Sequence, residues 1–145
     1  MRTLGVSSRF SNSEVGVLKE RAFDLEARLI AFAVRVIRAA ESLPKSPTGN
    51  HIRNQVLRSG TSPAPNYGEA QSAESRIDFT HKLKIVLKEL RETRVWLLMI
   101  QKADLIKPSS ALDALLQETN ELISIFVVSL KTTSRGRDDS FKCGA

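Results

Sequence analysis

Apolar residues in the third quarter of the chain follow the spacing of a buried helix. They step by alternating intervals of four and three residues through Phe79, Leu83, Val86, Leu90, Thr93, Leu97 and Ile100. This spacing places the series on one face of an α-helix that packs against other helices, and Ile85, Trp96 and Met99 widen that face. Ser75 followed three residues later by Asp78 is typical of a helix start. The sequence therefore predicts a long buried helix that begins after residue 75.

A second apolar row lies closer to the carboxyl end. Pro108, Ser109 and Ser110, with Asp113 following, are typical of a helix start. The apolar positions that recur at helical spacing are Leu112, Leu115, Thr119, Leu122, Phe126 and Leu130. The segment after Thr132 is polar, and we expect it to be mobile.

The first helix is apolar on more than one face. Ser11 and Glu14 fit a capping box, but Gly16 weakens a helix at this point, so we place the start near Leu18 and the end before Leu43. The row predicted to face inward is Phe23, Ile30, Ala33, Ile37 and Ala40, and the opposite row is Asp24, Arg28, Arg35 and Arg38. A further apolar row is Leu25, Leu29, Phe32 and Val36. Because one bundle cannot cover both apolar rows, the pattern predicts that a partner subunit covers one of them.

Prolines interrupt the second helix. Ser46 and Pro47 are typical of a helix start, and Val56 is predicted to face inward. The two prolines in the segment 60–65 remove backbone donors, so the helix must kink or restart there before it ends near Ala73.

Small polar residues gather at this bend. They are Ser59, Thr61, Ser62, Asn66 and Glu69. In the structural interpretation, their hydroxyl and amide groups bond carbonyl groups that the prolines leave free. In the alternative interpretation, the cluster contacts a ligand or a partner.

Four helices with short connections, and no alternating strand pattern, predict an all-α fold. We expect an antiparallel up-down four-helix bundle whose second helix is kinked at the proline-rich bend. The predicted organisation is a flexible amino-terminal arm over residues 1–17, the bundle over residues 18–132 and a flexible carboxyl-terminal tail over residues 133–145.

The composition is that of a soluble globular protein. The chain has 145 residues, of which 41% are hydrophobic and 26% charged; these values exclude a largely disordered chain and a disulfide-stapled miniature. The one cysteine, Cys143, has no partner cysteine in the chain, which indicates a reducing compartment. No stretch approaches the roughly 20 apolar residues of a membrane span or forms a signal peptide, so we expect a cytoplasmic protein.

The net charge of +6 is concentrated in one part of the chain. Residues 28–58 include one acidic residue, Glu41, and six basic ones, which are Arg28, Arg35, Arg38, Lys45, Arg53 and Arg58. Such segregation favours a polyanionic partner, usually nucleic acid, and the alternative is a solvated basic surface. A second basic run, on the third helix, is Arg76, Lys82, Lys84, Lys88, Arg91 and Arg94. Because Glu89 and Glu92 alternate with it, we interpret this run as a salt-bridged, solvated face rather than a phosphate track.

Catalytic chemistry has few candidates. His51 lies at the polar start of the second helix, where a surface side chain is the simple interpretation. Asp78 and His81 share one helical face, but a di-iron bundle needs two such pairs and two further carboxylates, so a surface ion pair explains them. Cys143 is far from either histidine in sequence, and the chain has no Gly-rich phosphate loop. The sequence therefore predicts no enzyme, no cofactor and no metal site.

Several ordered motifs resemble one known family. They are Leu43-Pro44-Lys45, Asn54 to Ser62 (NQVLRSGTS), Asn66 to Ala70 (NYGEA), Asp78 to Leu83 (DFTHKL), Lys88 to Thr93 (KELRET) and Trp96-Leu97. Together they resemble the four-helix-bundle proteins encoded in intervening sequences of 23S rRNA genes, over residues 18–130. The accessory variability proteins of diversity-generating retroelements are similar to these proteins.

The resemblance implies an up-down bundle that assembles as a ring-shaped homopentamer with a basic surface. In the retroelement branch it also implies binding to nucleic acid and to a reverse transcriptase, and it implies no catalytic residue. Two features depart from the family pattern. Pro63 and Pro65 stand where small or β-branched residues are often found, and the net charge is moderate beside that of the retroelement proteins.

The residues and the resemblance together predict a non-enzymatic accessory protein that binds nucleic acid, which we expect to be RNA, as a homo-oligomer. The six basic residues between positions 28 and 58 are predicted to contact phosphates, which position a nucleic acid without reading its sequence. The residues with a structural role are Ser59, Ser62, Asn66 and Glu69. The alternative function is an oligomeric scaffold that presents a surface to a protein partner, in which the charge only tunes solubility.

Overall fold

Six helical segments make up the described part of the chain. The computed structural model describes residues 11–141, except for the side chains of Leu18, Ala22, Phe23 and residues 136–141. The helices are α1 (Asn12–Glu41), α2 (Pro47–Thr61), α3 (Pro63–Gln71), α4 (Arg76–Lys102) and α5 (Asp113–Phe141), and a short 3₁₀ helix (Ser109–Leu112) precedes α5. These residues contain no β-strand.

The helices α2 and α3 form one bent column. They meet at Ser62, where the helix direction changes by 20°, because Pro63 and Pro65 have no backbone N–H for the helical ladder. Ser62 keeps right-handed helical angles, so no loop separates the two parts. The result is four columns, α1, α2–α3, α4 and α5, joined by short connections. The predicted four-helix bundle with a kinked second helix is confirmed.

The four columns surround one core. α1 packs along α2 and α3, and α4 packs along α2, α3 and α5, whereas the seam between α1 and α5 is the loosest of the four. α1 and α4 make no contact with each other over the described residues. They therefore lie diagonally across the bundle, and their outer faces point in opposite directions.

Side-chain caps fix the starts of α2 and α4 at the predicted places. The Ser46 hydroxyl accepts a hydrogen bond from the backbone N–H of Gly49 at 3.0 Å. The Ser75 hydroxyl accepts one from the backbone N–H of Asp78 at 3.1 Å. Each bond satisfies one of the amide groups that the first turn of a helix leaves without a partner.

α1 begins at Asn12, six residues before the predicted start. The capping box is complete, since Ser11 Oγ accepts from the backbone N–H of Glu14, and the Glu14 carboxylate accepts from that of Ser11. These bonds offset the cost of Gly16 in a helix, which is about 1 kcal/mol. The arm predicted over residues 1–17 is thus helical in its second part, and its first ten residues lie outside the described part.

α5 continues to Phe141, past the predicted end of the bundle at residue 132. The chain contains no proline after Pro108, so every later residue can donate its backbone N–H to a helix. The hydroxyls of Thr132 and Thr133 each donate to a carbonyl one turn earlier, at 3.0 and 2.8 Å. Cys143 lies outside the described residues.

The apolar rows predicted for α4 and α5 form most of the core. The members that are buried are Leu83, Val86, Leu90, Thr93, Leu97, Ile100, Leu112, Leu115, Thr119, Leu122 and Phe126. Phe79 and Leu130, which end the two rows, are half-buried. Met99 was assigned to the same face of α4, but it lies on the outer side and is 46% exposed.

The inward row predicted for α1 is wrong at Ile30 and Ile37. Ala40 is buried as predicted and Ala33 is half-buried, and the side chain of Phe23 lies outside the described part. The residues of α1 that fill the core are Leu29, Phe32, Val36 and Ala40, at most 1% exposed. Ile30 and Ile37 face outward and are 51% and 36% exposed, and Val34 between them is 39% exposed. We call these three residues the α1 stripe. One apolar row is thus buried in the bundle and the other is not.

α1 and α2 approach each other closely at Gly60. A Cβ atom at this position would lie 2.5 Å from Cγ1 of Val36, so only glycine lets α2 pack on the core row of α1. Beside it, the hydroxyls of Ser59 and Thr93 lie 3.0 Å apart and hydrogen-bond to each other inside the core. This buried pair joins α2 to α4.

Candidate nucleic-acid interface

Arg28, the first of the six basic residues predicted to contact phosphates, is bound to two carboxylates of the protein itself. It reaches from α1 across the loose seam to α5 and donates from Nε and Nη2 to the two carboxylate oxygens of Glu118, at 2.7 and 2.8 Å. Nη2 also donates to Glu121 at 2.6 Å. These hydrogen bonds lower the pKa of Glu118 below its usual value, although its partial burial acts in the opposite direction. Arg28 therefore holds α1 against α5. Because its charge is neutralised by two carboxylates, it attracts a phosphate only weakly.

Arg53 closes the connection between α1 and α2. Its Nε donates to the carbonyl of Ala40 at 3.1 Å and its Nη2 to the carbonyl of Leu43 at 2.8 Å. Its Nη1 donates to the side-chain oxygen of Asn50 at 2.5 Å. The last carbonyls of a helix have no intrahelical partner, so Arg53 acts as a cap for α1.

Arg58 is bound to α4. It donates to Glu89 at 3.4 Å and to Glu92, and the indole N–H of Trp96 donates to Glu92 as well, at 3.3 Å. The hydrogen bond from Arg58 lowers the pKa of Glu92. Three of the six predicted phosphate contacts are thus engaged in holding helices together.

Arg35, Arg38 and Lys45 make no ion pair with any described residue. The two arginines line a pocket of about 260 Å³ at one end of the α1–α5 seam. The other residues of its lining are Ala39, Ser42, Ile106, Ala111, Leu112 and Leu115. We call it the end pocket. No acidic side chain lines it, so its charge is positive, and Lys45 is exposed in the loop at the same end of the bundle.

The acidic residues expected to neutralise the basic run of α4 bind another partner. Glu89 and Glu92 are held by Arg58 of α2, and Lys88 makes only a weaker, through-space contribution to the lowered pKa of Glu92. The predicted pairing along α4 is therefore wrong. It leaves three cations exposed on the outer face of α4 with no ion pair to a described residue. They are Lys84, Lys88 and Arg91, and we call them the α4 stripe.

The other members of that run are held by neighbouring helices. Lys82 binds Glu69 of α3 at 2.5 Å. Arg94 donates to Asn120 of α5 at 2.8 Å, and Arg76 donates to a carbonyl of α5 at 2.9 Å. Of the six basic residues in this run, three therefore connect helices and three face outward.

The polar residues at the bend do not form a common surface. The side-chain amide of Asn66 donates to the carbonyl and the hydroxyl of Ser62, both at 3.0 Å. Ser59 is turned into the core, and Glu69 accepts from Lys82. Each of these groups has a partner within the fold, but none bonds the carbonyls of Ser59 and Thr61, which Pro63 and Pro65 leave without their helical donors.

Metal and membrane sites were also sought over the described residues. No three His, Cys, Asp or Glu side chains lie together there in a way that holds a metal ion. Within the same part of the chain, every helix is too short or too polar to cross a membrane. His51 is exposed and makes an edge-to-face contact with Trp96, with ring centroids 6.0 Å apart.

A comparison with protein families identifies this bundle. The model of the family described as 23S rRNA-intervening sequence protein matches residues 21–127, from within α1 to within α5. The chain belongs to this family. Both arginines of the end pocket, Lys45 and the whole α4 stripe lie in the part that the family shares.

One solved structure supports the 23S rRNA-intervening sequence protein fold. It is a protein from Bacteroides thetaiotaomicron, described as having unknown function and as belonging to the S23 ribosomal protein family. It is 31% identical to this chain, with a TM-score of 0.67, over 73% of this chain and 97% of the other. No curated protein matches.

Proposed function

We propose that this 23S rRNA-intervening sequence protein is a non-enzymatic protein that binds RNA as a homo-oligomer. The observation that carries the proposal is the end pocket, where Arg35 and Arg38 meet and no carboxylate lines the space. Two guanidinium groups in such a place attract a phosphate, whose oxygens match their planar donors. Lys45 adds a third positive charge at the same end.

Arg28 helps to keep the end pocket positive. The pKa of Glu118 is lowered by its hydrogen bonds from Arg28 and, to a smaller extent, by the nearby charge of Arg35. Both of its oxygens are bonded to Arg28, so it is not available as a close partner for Arg35. A nucleic acid phosphate is therefore the partner that supplies the missing negative charge.

The α1 stripe supports self-association. Ile30, Val34 and Ile37 present three large apolar side chains on one outer face, and a second copy of the chain is the occupant that we propose for it. The family resemblance favours five copies. A cyclic pentamer joins two different faces of each subunit, so the α1 stripe forms one half of every contact. The ring repeats each basic site and raises avidity without a new type of contact.

Binding of labelled single-stranded RNA across salt concentrations tests the proposal. Phosphate contacts release counterions, so the logarithm of the affinity should fall linearly with the logarithm of the salt concentration. A variant that carries Arg35→Gln, Arg38→Gln and Lys45→Gln should make this slope less negative by about 2, since each lost contact contributes about 0.7 for a single strand. Its unfolding temperature should stay unchanged, because none of the three side chains holds a described partner.

The alternative function is an oligomeric scaffold without nucleic-acid binding, which the α1 stripe also favours. If the wild-type protein retains neither RNA nor DNA at low salt, the binding proposal fails and the scaffold takes its place. DNA of the same length and sequence, assayed in parallel, tests the preference for RNA. Inspection of the neighbouring genes for a reverse transcriptase, followed by co-purification with its product, tests the partner that the retroelement resemblance implies.

A further inference from the structure

A groove between α4 and α5 lies beside the α4 stripe. Its volume is about 330 Å³, and it is lined by Arg91, Arg94, Val95, Asn120 and Ile123. We call it the α4–α5 groove. Val95 and Ile123 contribute apolar surface, and the other three residues contribute hydrogen-bond donors.

A hydrogen bond orients the polar side of the groove. Arg94 donates from Nε to the side-chain oxygen of Asn120 at 2.8 Å. The oxygen of the Asn120 amide is thereby occupied, and its NH₂ group remains a donor. The same bond holds the planar guanidinium of Arg94 in place.

The α4 stripe brings positive charge to the groove. Lys84, Lys88 and Arg91 follow one another at intervals of four and three residues, so they share one face of α4. They span about 10 Å at the helical rise of 1.5 Å per residue. Arg91 belongs to both the stripe and the groove. Glu89 and Glu92 form their ion pairs with Arg58, so neither forms one with the three cations of the stripe, and Lys88 acts on Glu92 only through space.

We infer that the α4 stripe and the α4–α5 groove form a binding site for single-stranded nucleic acid, with phosphates on the stripe and an unstacked base in the groove. A base has a flat π-face that fits apolar side chains and a guanidinium plane, and polar edges that accept hydrogen bonds. A duplex keeps its bases stacked and paired, so it reaches the stripe but not the groove. The site therefore favours single strands.

This inference rests on the proposed nucleic-acid-binding function and adds a second contact surface to it. α1 and α4 lie diagonally across the bundle. The α1 stripe and the outer face of α4 therefore lie on opposite sides of each subunit, and we place the second half of the ring contact on a face other than that of α4. In an oligomer, the site is repeated on every copy.

Two variants of equal net charge test the α4 stripe. One carries Lys84→Gln, Lys88→Gln and Arg91→Gln, because glutamine preserves helix propensity. The control carries the same change at three exposed lysines on three other segments, Lys19, Lys107 and Lys131. The affinity for a labelled oligouridylate is measured at fixed salt. We expect it to fall by about tenfold or more in the stripe variant and by about threefold or less in the control.

A single substitution tests the groove. Asn120→Asp keeps the acceptor for Arg94 but replaces the free NH₂ group by a second negatively charged oxygen. We expect it to weaken single-strand binding about tenfold and duplex binding much less, since only an unpaired base enters the groove. A loss that is equal for single strand and duplex would show that charge alone is sensed, and it overturns the base-binding part of the inference.

The outcomes separate this inference from the proposed function. If the wild-type protein binds neither RNA nor DNA, the proposed function fails. Two other results would leave the proposed function standing and show that the α4 site is wrong. In the first, the stripe variant and its control lose the same amount of affinity. In the second, only the end-pocket variant loses affinity. Circular dichroism of each variant confirms that the bundle is intact before binding is compared.

Discussion

At the scale of single residues, the partners of a side chain decide its role more than its type does. Arg38 and Arg53 are both basic residues near the end of α1. Arg38 is exposed, lines the end pocket and has no ion pair to a described residue, whereas Arg53 donates to three carbonyls and an amide oxygen. The first is suited to bind a ligand, and the second holds the fold.

We predict that Arg53→Gln destabilises the protein by about 1–3 kcal/mol. The substitution leaves the carbonyls of Ala40 and Leu43 without their charged donor, and hydrogen bonds to charged groups are worth about this much. Arg38→Gln, at an exposed position without such a partner, should change stability by about 0.5 kcal/mol or less. Urea denaturation measures both, and equal effects would show that Arg53 is not a cap.

A second residue-scale prediction concerns glycine. Gly60→Ala should cost about 1–3 kcal/mol, because the new Cβ lies 2.5 Å from Val36. Adding Val36→Ala should make the double variant less destabilised than the sum of the two single changes. Gly68→Ala is the matched control, since its Cβ meets nothing nearer than 4.0 Å; there alanine should stabilise the helix by about 0.5–1 kcal/mol. Thermal unfolding of the four variants checks the pattern.

At the scale of elements, the ion pairs of Arg28 bridge the loosely packed α1–α5 seam. Glu118 accepts two hydrogen bonds from Arg28 across it, which lowers the pKa of Glu118 in the folded protein. A carboxyl group whose pKa is lower in the folded state binds its proton more readily in the unfolded chain. Its contribution to stability is therefore present at neutral pH and is lost as the pH falls through the folded pKa.

We accordingly predict a smaller loss of stability on acidification in Glu118→Gln. Between about pH 6 and about pH 3, the free energy of unfolding should fall less in this variant than in the wild type. Glu74→Gln is the control, because Glu74 is exposed and makes no hydrogen bond to a described residue. If the two variants follow the same pH profile, the bond across the seam does not contribute.

The elements also show how far the sequence determines the fold. The row of α4 was predictable because it keeps its four-and-three spacing over seven positions, whereas the exposed apolar residues Ile77, Val95 and Met99 form no second row of that length. α1 has two apolar rows with the same helical spacing, and periodicity cannot say which one meets the other helices. The contacts of Arg28 and Arg58 join residues far apart in the chain, and no local pattern indicates them. Local spacing instead assigned Glu89 and Glu92 to the basic residues beside them on α4.

At the scale of the whole molecule, the distribution of ion pairs matters more than the net charge. Arg28 and Arg58 each bind two carboxylates and Lys82 binds one, so three cations occupy five acidic groups. Acidic side chains are thereby gathered at helix seams. Glu89 and Glu118 are largely buried in these seams, whereas Glu69 and Glu121 stay exposed. The cations without an ion pair, and not the net charge, therefore mark where the surface is basic.

We predict that Ile30→Glu with Val34→Glu converts the assembly to monomers. Charges within the α1 stripe cannot be buried against a second copy without a large cost. A wild-type pentamer of the 16.1 kDa chain has a mass of about 80 kDa by light scattering, and the variant should have the mass of one chain. Ile77→Glu, on the outer face of α4 at 79% exposure, should leave the assembly intact. A wild-type mass of one chain at micromolar concentration contradicts the prediction.

The bend at Ser62 has a consequence for how the protein opens. Since Pro63 and Pro65 break the continuity of the hydrogen-bond ladder, the bonds of α3 can be lost without breaking those of α2. Amide hydrogen exchange in native conditions should therefore divide this column into two cooperative units. The amides of the nine-residue α3 should exchange through an opening of lower free energy than those of α2, whose last turn is held to the core by the close packing at Gly60 and by the Ser59–Thr93 pair. Replacing both prolines by alanine should merge the two units and slow exchange in α3.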